Sequence, residues 1–470
     1  MLMMRRGRVH RAAAIAGAMC AVVALPGQAR AAEGEPNPYR FASSAQDIEG
    51  GADTADATQI DAGATYRTSI GKGKQLHFKV RLDAASHAYA SAVAVPRLGA
   101  QLSFQDGIKV SLRDGQGEVC GEGDARFGPG GIPKPVAANA DRTVSAGGES
   151  CQQAGTYYVV IERSSKDSSS PGDWAVELRL FEEPQLKSGG NSVPVESWPT
   201  TMPELPTGAA QQRAGGTGFN DARALTQGVW RDEIEPGRTR FYRVPVDWGQ
   251  RLFAKAELGS SQNRGMVGNA LSMSLYNPAR GFVLHDTARY LGEPVGVQLD
   301  PLPAVAYENR WGKNVDQRAM RFPGWYVLAV SLHPKTDSYG PGALPVTLRV
   351  KVDGPAKDRE YARPAGVFSV AEQDEGAAAA GQTDGEARHS DVLRVVGVVA
   401  IGVGSVLVFG LGLWTVVARR RDSRGRGGRR GRRVAVQGGA VPQVTGASGS
   451  SDPADTPTPT PTQYGPPQGW

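Results

Sequence analysis

Two stretches of this chain repeat one another in an order that only a duplicated, strand-built domain satisfies. "GGADTADATQIDAG" (Gly50 to Gly63) and "GGTGFNDARALTQG" (Gly215 to Gly228) share both glycines, Asp56/Asp221, Ala57/Ala222, an aliphatic at Ile60/Leu225 and Gly63/Gly228. Further on, "IGKGKQLHFKVRL" matches "IEPGRTRFYRVPV" at Ile70/Ile234, Gly73/Gly237, Phe78/Tyr242, Lys79/Arg243 and Val80/Val244. Then "IKVSLRD" matches "LSMSLYN", "GTYYVVI" matches "GWYVLAV" and "ELRL" matches "TLRV", in the same order in both copies. Each block alternates apolar and polar residues, as a strand with one buried face does. Gly, Asp, Asn, Pro and Ser gather between the blocks, where turns need them.

No stretch of residues 32–394 shows sustained helical periodicity. Sheets with one apolar face must pack face to face, so the expected fold is mainly β, with two tandem antiparallel β-sandwich domains at 43–181 and 217–353. The Pro, Gly and Ser content of 182–216 predicts a linker, with Trp198 and Leu205 as residues that would tack it to a domain surface. Residues 354–391 read as a flexible stalk.

The ends of the chain bear on location. Residues 1–31 begin with Arg5, Arg6, Arg8 and Arg11, continue through a short apolar run and end in Ala-x-Ala, the pattern of a secretory signal peptide. The uncharged run within 392–418 is long enough to cross a bilayer of about 30 Å hydrocarbon thickness as a helix. Arg419, Arg420 and Arg421 follow it at once, and a basic cluster beside a span is retained in the cytoplasm and faces anionic lipid headgroups. The expectation is a single-pass type I cell-membrane protein, its N-terminal part outside and its C-terminus inside. The tail, 419–470, is basic and then Pro/Thr-rich, too poor in apolar residues to fold. Its "TPTPTPTQYGPPQ" suits a polyproline ligand, a phosphorylation target or an unselected disordered end.

The formal charge of +6 misleads about partners. Residues 32–418 carry 39 Lys and Arg against 44 Asp and Glu, so the part expected outside is about five units negative, which gives no reason to expect nucleic acid. Two cysteines remain there, Cys120 and Cys151, and an even pair in an exported region predicts a disulfide.

The order Asp-Ala-x-x-aliphatic-x-x-Gly, then aliphatic-x-x-Gly leading to aromatic-base-Val, then a strand ending in Asp or Asn, then Gly-x-Tyr, resembles the bacterial pre-peptidase C-terminal type domain. The resemblance covers Gly50 to Phe181 and Gly215 to Val352. It implies a jelly-roll-like sandwich of the sort found as an accessory module on secreted enzymes and surface proteins. Members often carry acidic residues before the aromatic strand, where this chain has Lys74, Gln75, Arg238 and Arg240. The calcium role of some relatives is therefore not implied here.

Catalysis would need a nucleophile, a base and an orienting acid. No Gly-x-Ser-x-Gly, His-Glu-x-x-His, phosphate loop or Cys-x-x-Cys occurs. His77 stands where the second copy has Phe241, which suits a tolerated, partly buried ring. His285-Asp286 invites a catalytic reading but has no counterpart in the first copy. Tyr290, Tyr307, Trp311 and Tyr339 lie between expected strands beside arginines. They would form a contact surface for an extracellular protein or glycan, or else pin long loops to the sandwich.

No catalytic residues, metal or cofactor are expected. The expected function is a non-catalytic surface protein that displays two modules for adhesion or as the accessory subunit of a membrane complex. The alternatives are an accessory component of a secreted hydrolase or peptidase system, and a receptor signalling through its cytoplasmic tail.

Overall fold

A computed structural model describes residues 35–145, 147–188, 193–263, 265–340, 342–390 and 408–415. The expected signal peptide, the tail with Arg419, Arg420 and Arg421, and most of the expected span lie outside the described residues. Residues 408–415 are helical, and Val408, Phe409, Leu411, Leu413 and Trp414 are exposed. Among the described residues, no helix is long and apolar enough to cross a membrane.

The first half consists of β1 (Gln46–Asp47), β2 (Thr58–Gln59), β3 (Thr65–Ile70), β4 (Gln75–Leu82), β5 (His87–Val95), β6 (Gly107–Arg113), β7 (Val119–Arg126), β8 (Val136–Arg142), β9 (Gly155–Ser164) and β10 (Trp174–Glu183). The second half consists of β11 (Gln211–Gln212), β12 (Arg223–Ala224), β13 (Gly228–Ile234), β14 (Thr239–Val246), β15 (Arg251–Leu258), β16 (Val267–Tyr276), β17 (Phe282–Tyr290), β18 (Val295–Gln298), β19 (Gly324–Leu332) and β20 (Leu344–Asp353).

Four five-stranded sheets result, ordered β1-β3-β10-β5-β8, β2-β4-β9-β6-β7, β11-β13-β20-β15-β18 and β12-β14-β19-β16-β17. Adding ten to each strand number of the first half yields the orders of the second. The sheets are mixed, not purely antiparallel as expected, because the two-residue edge strands β1, β2, β11 and β12 each pair parallel with their neighbour. Apart from the β6–β7 and β16–β17 hairpins, successive strands alternate between the two sheets of a half. Each half is therefore a sandwich with its own core, around Phe78, Val110, Val159 and Leu178 in the first and around Tyr242, Met273, Leu328 and Leu348 in the second.

The repeated residues have repeated physical jobs. At Gly51 a Cβ would stand 2.4 Å from the Asp56 carbonyl oxygen, and at Gly216 it would stand 2.1 Å from that of Asp221, so neither turn admits a side chain. Ile60 and Leu225 are fully buried beneath these turns. The Gly-x-Tyr motif of each copy places a tyrosine that ties its strand to the preceding loop. Tyr157 donates to the Gln153 carbonyl at 2.6 Å, and Tyr326 donates to the Phe322 carbonyl at 2.9 Å.

One segment differs from expectation. Residues 354–390, expected as a stalk, instead lie against both sandwiches. The Lys357 N–H donates to the Trp248 carbonyl and the Ala362 N–H to that of Gln185, while Phe368 is fully buried. Helix α1 (Glu372–Ala380) follows, and Asp374 within it accepts the indole N–H of Trp325 at 3.1 Å. The apolar residues Tyr361, Ala365 and Phe368 recur too closely to remain in water, which is why the segment does not behave as a free coil. The 182–216 segment also lies along the second sandwich. Trp198 donates to the Pro301 carbonyl at 2.8 Å, and Arg251 and Arg349 donate to the carbonyls of Pro199 and Pro206.

Cys120 and Cys151 form a disulfide across 31 residues of sequence, with Cα atoms 5.7 Å apart. It ties β7 to the loop before β9, where Arg142 holds the Cys151 carbonyl at 2.7 Å. Replacing both cysteines with serine should lower unfolding stability by about 2–4 kcal/mol. Denaturant titration of oxidised wild type against the double variant measures this difference.

Candidate functional site: the junction between the sandwiches

Strand β5, "HAYASAVAV", is buried at every one of its nine positions. A strand with one face in its own core and the other in water would alternate, so both faces of β5 are covered. The second cover is the other sandwich. The outer face of the β1-β3-β10-β5-β8 sheet meets the outer face of the β12-β14-β19-β16-β17 sheet, with Val93, Val95 and Ala137 against Phe241, Val327 and Ala329.

Two carboxylates on this face of β10 are fully buried, Glu177 and Glu183. Each meets an arginine from the second sandwich. Arg310, in the turn Tyr307–Trp311, grips Glu183 with both of its terminal nitrogens, at 2.9 Å and 2.7 Å. Tyr89 and Tyr361 donate to the same carboxylate at 2.7 Å and 2.8 Å. Four donors thus converge on one carboxylate, which is how a buried charge becomes tolerable. Burial alone would raise the Glu183 carboxyl, but Arg310, His87 and the Tyr89 hydroxyl together hold the group below its ordinary value. Arg310 also lies 3.5 Å over the centre of the Tyr307 ring.

Glu177 pairs with Arg280, and Asn220 donates to it at 2.9 Å. The Ala42 N–H completes that shell at 2.9 Å. Arg280 occupies the β16–β17 turn with φ of +59°, a conformation costly for a side-chain-bearing residue and one that directs its guanidinium across the junction.

His87 stands beside the Glu183 cluster. The Val144 N–H donates to Nδ1 at 3.0 Å, which leaves the proton on Nε2, 2.9 Å from the Tyr307 hydroxyl. Burial, reinforced by Arg310, pushes this imidazole down to about 3. The C-terminal segment closes the junction with Phe368. Its ring lies 5.8 Å from that of Tyr89 and 4.6 Å from that of Phe322, one from each sandwich.

The aromatic residues singled out from sequence do not form one exposed surface. Tyr290 and Tyr339 are buried in the second sandwich, their rings 4.5 Å apart. Tyr290 donates to the Gly259 carbonyl and Tyr339 to the Tyr290 carbonyl. These two pin loops. Tyr307 is buried and meets His87 of the first sandwich at 2.9 Å, whereas Trp311 is half-buried against the core of the second. His285 and Asp286 do not form a dyad. Neighbouring strand residues point to opposite faces, and the Asp286 carboxylate accepts the N–H groups of Gln298 and Thr287. Among the described residues, no group of three or more His, Cys, Asp or Glu is placed to hold a metal ion.

Sequence reasoning missed Glu177, Glu183 and Arg280, and saw Arg310 only as a neighbour of the aromatic residues, although a signal for part of the junction was present in the differences between copies. By strand register, Glu177, Phe181 and Val93 of the first half correspond to Thr347, Lys351 and Glu257 of the second. The first set is buried against the second sandwich; the second set faces water. The opposite sheets show the reverse, with half-exposed His77 and Tyr158 matching buried Phe241 and Val327.

No family model matches the chain, and no curated protein does. Similar solved structures include the CUB1-EGF-CUB2 domain of human MASP-1/3, 8% identical, covering 61% of this chain and 99% of that one with a TM-score of 0.14. The CBM22-1-CBM22-2 tandem domain of Xyn10C from Paenibacillus barcinonensis is 11% identical, covering 67% and 100% with a TM-score of 0.17. The ANX1 ectodomain from Arabidopsis thaliana is 10% identical, covering 60% and 84% with a TM-score of 0.17.

Replacing Arg310 by Met should cost about 3–5 kcal/mol, because Glu183 is left buried without its cation. The double variant E183Q/R310M should lose less than R310M alone; chemical denaturation of the set measures the coupling. Acid should also loosen the molecule. Folded His87 titrates at about 3, while an unfolded histidine titrates at its ordinary value of about 6.5. Between these values the unfolded chain holds a proton that the folded chain lacks, so stability falls as pH falls. The slope from this group is at most about 1.4 kcal/mol per pH unit. Thermal midpoints of wild type and H87N across that range should converge as the pH is lowered.

Proposed function

We propose that the chain is a non-catalytic single-pass surface protein whose two sandwiches are displayed outside the cell as one rigid block, for adhesion or as the accessory subunit of a membrane complex. The observation that carries this reading is the junction. Two buried carboxylate–arginine pairs and a C-terminal segment laid across both halves make the tandem a single presentation unit. The shared strand orders support the jelly-roll-like part of the reading and the resemblance to the pre-peptidase C-terminal type domain.

The five histidines downstream of residue 31 are spread over the fold. His77 is half-buried on an outer sheet, His87 is in the junction, His285 is on β17, His333 caps a turn by accepting the Lys335 N–H, and His389 is exposed. That dispersal supports binding over hydrolysis as the work of the block. The basic run after 392–418 and the leader-like 1–31 supply the topology, with anionic lipid headgroups against Arg419, Arg420 and Arg421.

Limited protease treatment of intact cells tests the topology and the rigid block together. Cleavage near 391–396 should release a fragment holding both sandwiches, which resists further cutting because its linker and C-terminal segment are packed down. Cutting of the tail while the sandwiches are protected would overturn the orientation, and separate release of the two sandwiches would overturn the single block.

A further inference from the structure

The two facing sheets do not close along their whole length. Where the β7–β8 connection of the first sandwich passes β16 and β17 of the second, they leave a cleft of about 300 Å³, at the lower edge of the size range of small-molecule sites. Its apolar part includes Phe127, Tyr276 and Phe282, with the Tyr276 and Phe282 rings edge to face at 6.0 Å. Phe282 is 43% exposed, an aromatic surface left wet beside an otherwise sealed junction. Ser272, Ser274 and Thr287 add hydroxyls to the lining.

One cation stands in this lining without a carboxylate. Lys134 is half-buried and has no ion-pair partner among the described residues. The acid that shares the lining, Asp124, is engaged by Arg126 at 3.0 Å, and the lining's remaining titratable group is His285 of β17. Burial pushes the Lys134 ammonium below its ordinary value. Elsewhere at this junction the buried charges Glu177 and Glu183 are each met by an opposite charge, so an unmatched ammonium beside an apolar wall marks a place where an anion would be stabilised.

We propose that this cleft binds a small monocarboxylate with an aromatic or aliphatic body, its carboxylate against Lys134 and its body against Phe282 and Tyr276. The site lies wholly between the two sandwiches and does not depend on where in the cell the chain resides.

The test uses the full chain in lipid nanodiscs, with empty nanodiscs as the blank, and calorimetric titration of 3-phenylpropanoate and of its uncharged amide. Wild type should bind the carboxylate at least about tenfold more tightly than the amide, the effect of a charge-assisted contact in a partly dry site. K134Q should abolish that preference, K134R should retain most of it, and F282S should weaken both ligands. Thermal midpoints of the variants show that each remains folded. Carboxylate affinity should also fall as pH rises through the lowered Lys134 pKa, while amide affinity stays level. Absence of carboxylate binding by wild type, or an undiminished preference in folded K134Q, would overturn the proposal.

Discussion

Glu183 is a carboxylate removed from water, and the rest of the junction is arranged around that fact. Such a charge is tolerated only if its oxygens are filled by donors, and here the donors come from separate parts of the chain: β5, the Tyr307–Trp311 turn and the C-terminal segment. No single sandwich supplies them all. Docking the halves and laying down the C-terminal segment are therefore coupled, because each step completes a shell that the others leave open. Glu177 repeats the arrangement near the middle of the same strand, with Arg280 and Asn220 from the second half and Ala42 from the segment before β1.

That coupling explains an otherwise puzzling contrast between the copies. Their cores are interchangeable in kind, as Phe78 and Tyr242, Ile60 and Leu225, and Tyr157 and Tyr326 show. Their outer faces are not. The face carrying Glu177, Phe181 and Val93 has become interior, while its equivalent keeps Thr347, Lys351 and Glu257 in half-exposed positions. Within the second copy, Arg349 and Lys255 both reach Glu257 at 2.8 Å, the kind of partly exposed network a solvent face retains.

Much of the sandwich pattern was legible in the sequence because strand alternation and turn glycines are local signals. Gly51 and Gly216 stand out in one dimension for the same reason that they are required in three: a Cβ has no room there. The disulfide was legible in the even number of cysteines and the export expected from residues 1–31. The junction was harder to read because its charges carry no periodicity of their own; an arginine in a turn and a glutamate on a strand look solvated until the partner surface is known. One local clue existed in "HAYASAVAV", whose unbroken run of small and apolar residues contradicts a half-wet strand. The 354–390 segment was misjudged from its Gly, Pro and Ala content, which outweighed the few aromatics that determine where it lies. Tyr290 and Tyr339 were ambiguous for a related reason, since the same ring that anchors a ligand also anchors a loop.

The two halves meet through unlike faces, one sheet of the first against the opposite sheet of the second. Such a head-to-tail contact has no built-in end, unlike a two-fold contact, and a third copy of the same module would find an equivalent surface waiting at either side. At the outermost layers His77 and Lys79 at one side and Glu257 and Lys351 at the other take the places that apolar or paired residues hold inside, and residues 199–206 lie across the second of these faces. Only with those side chains exchanged and that segment lifted would a closed pair become an open filament.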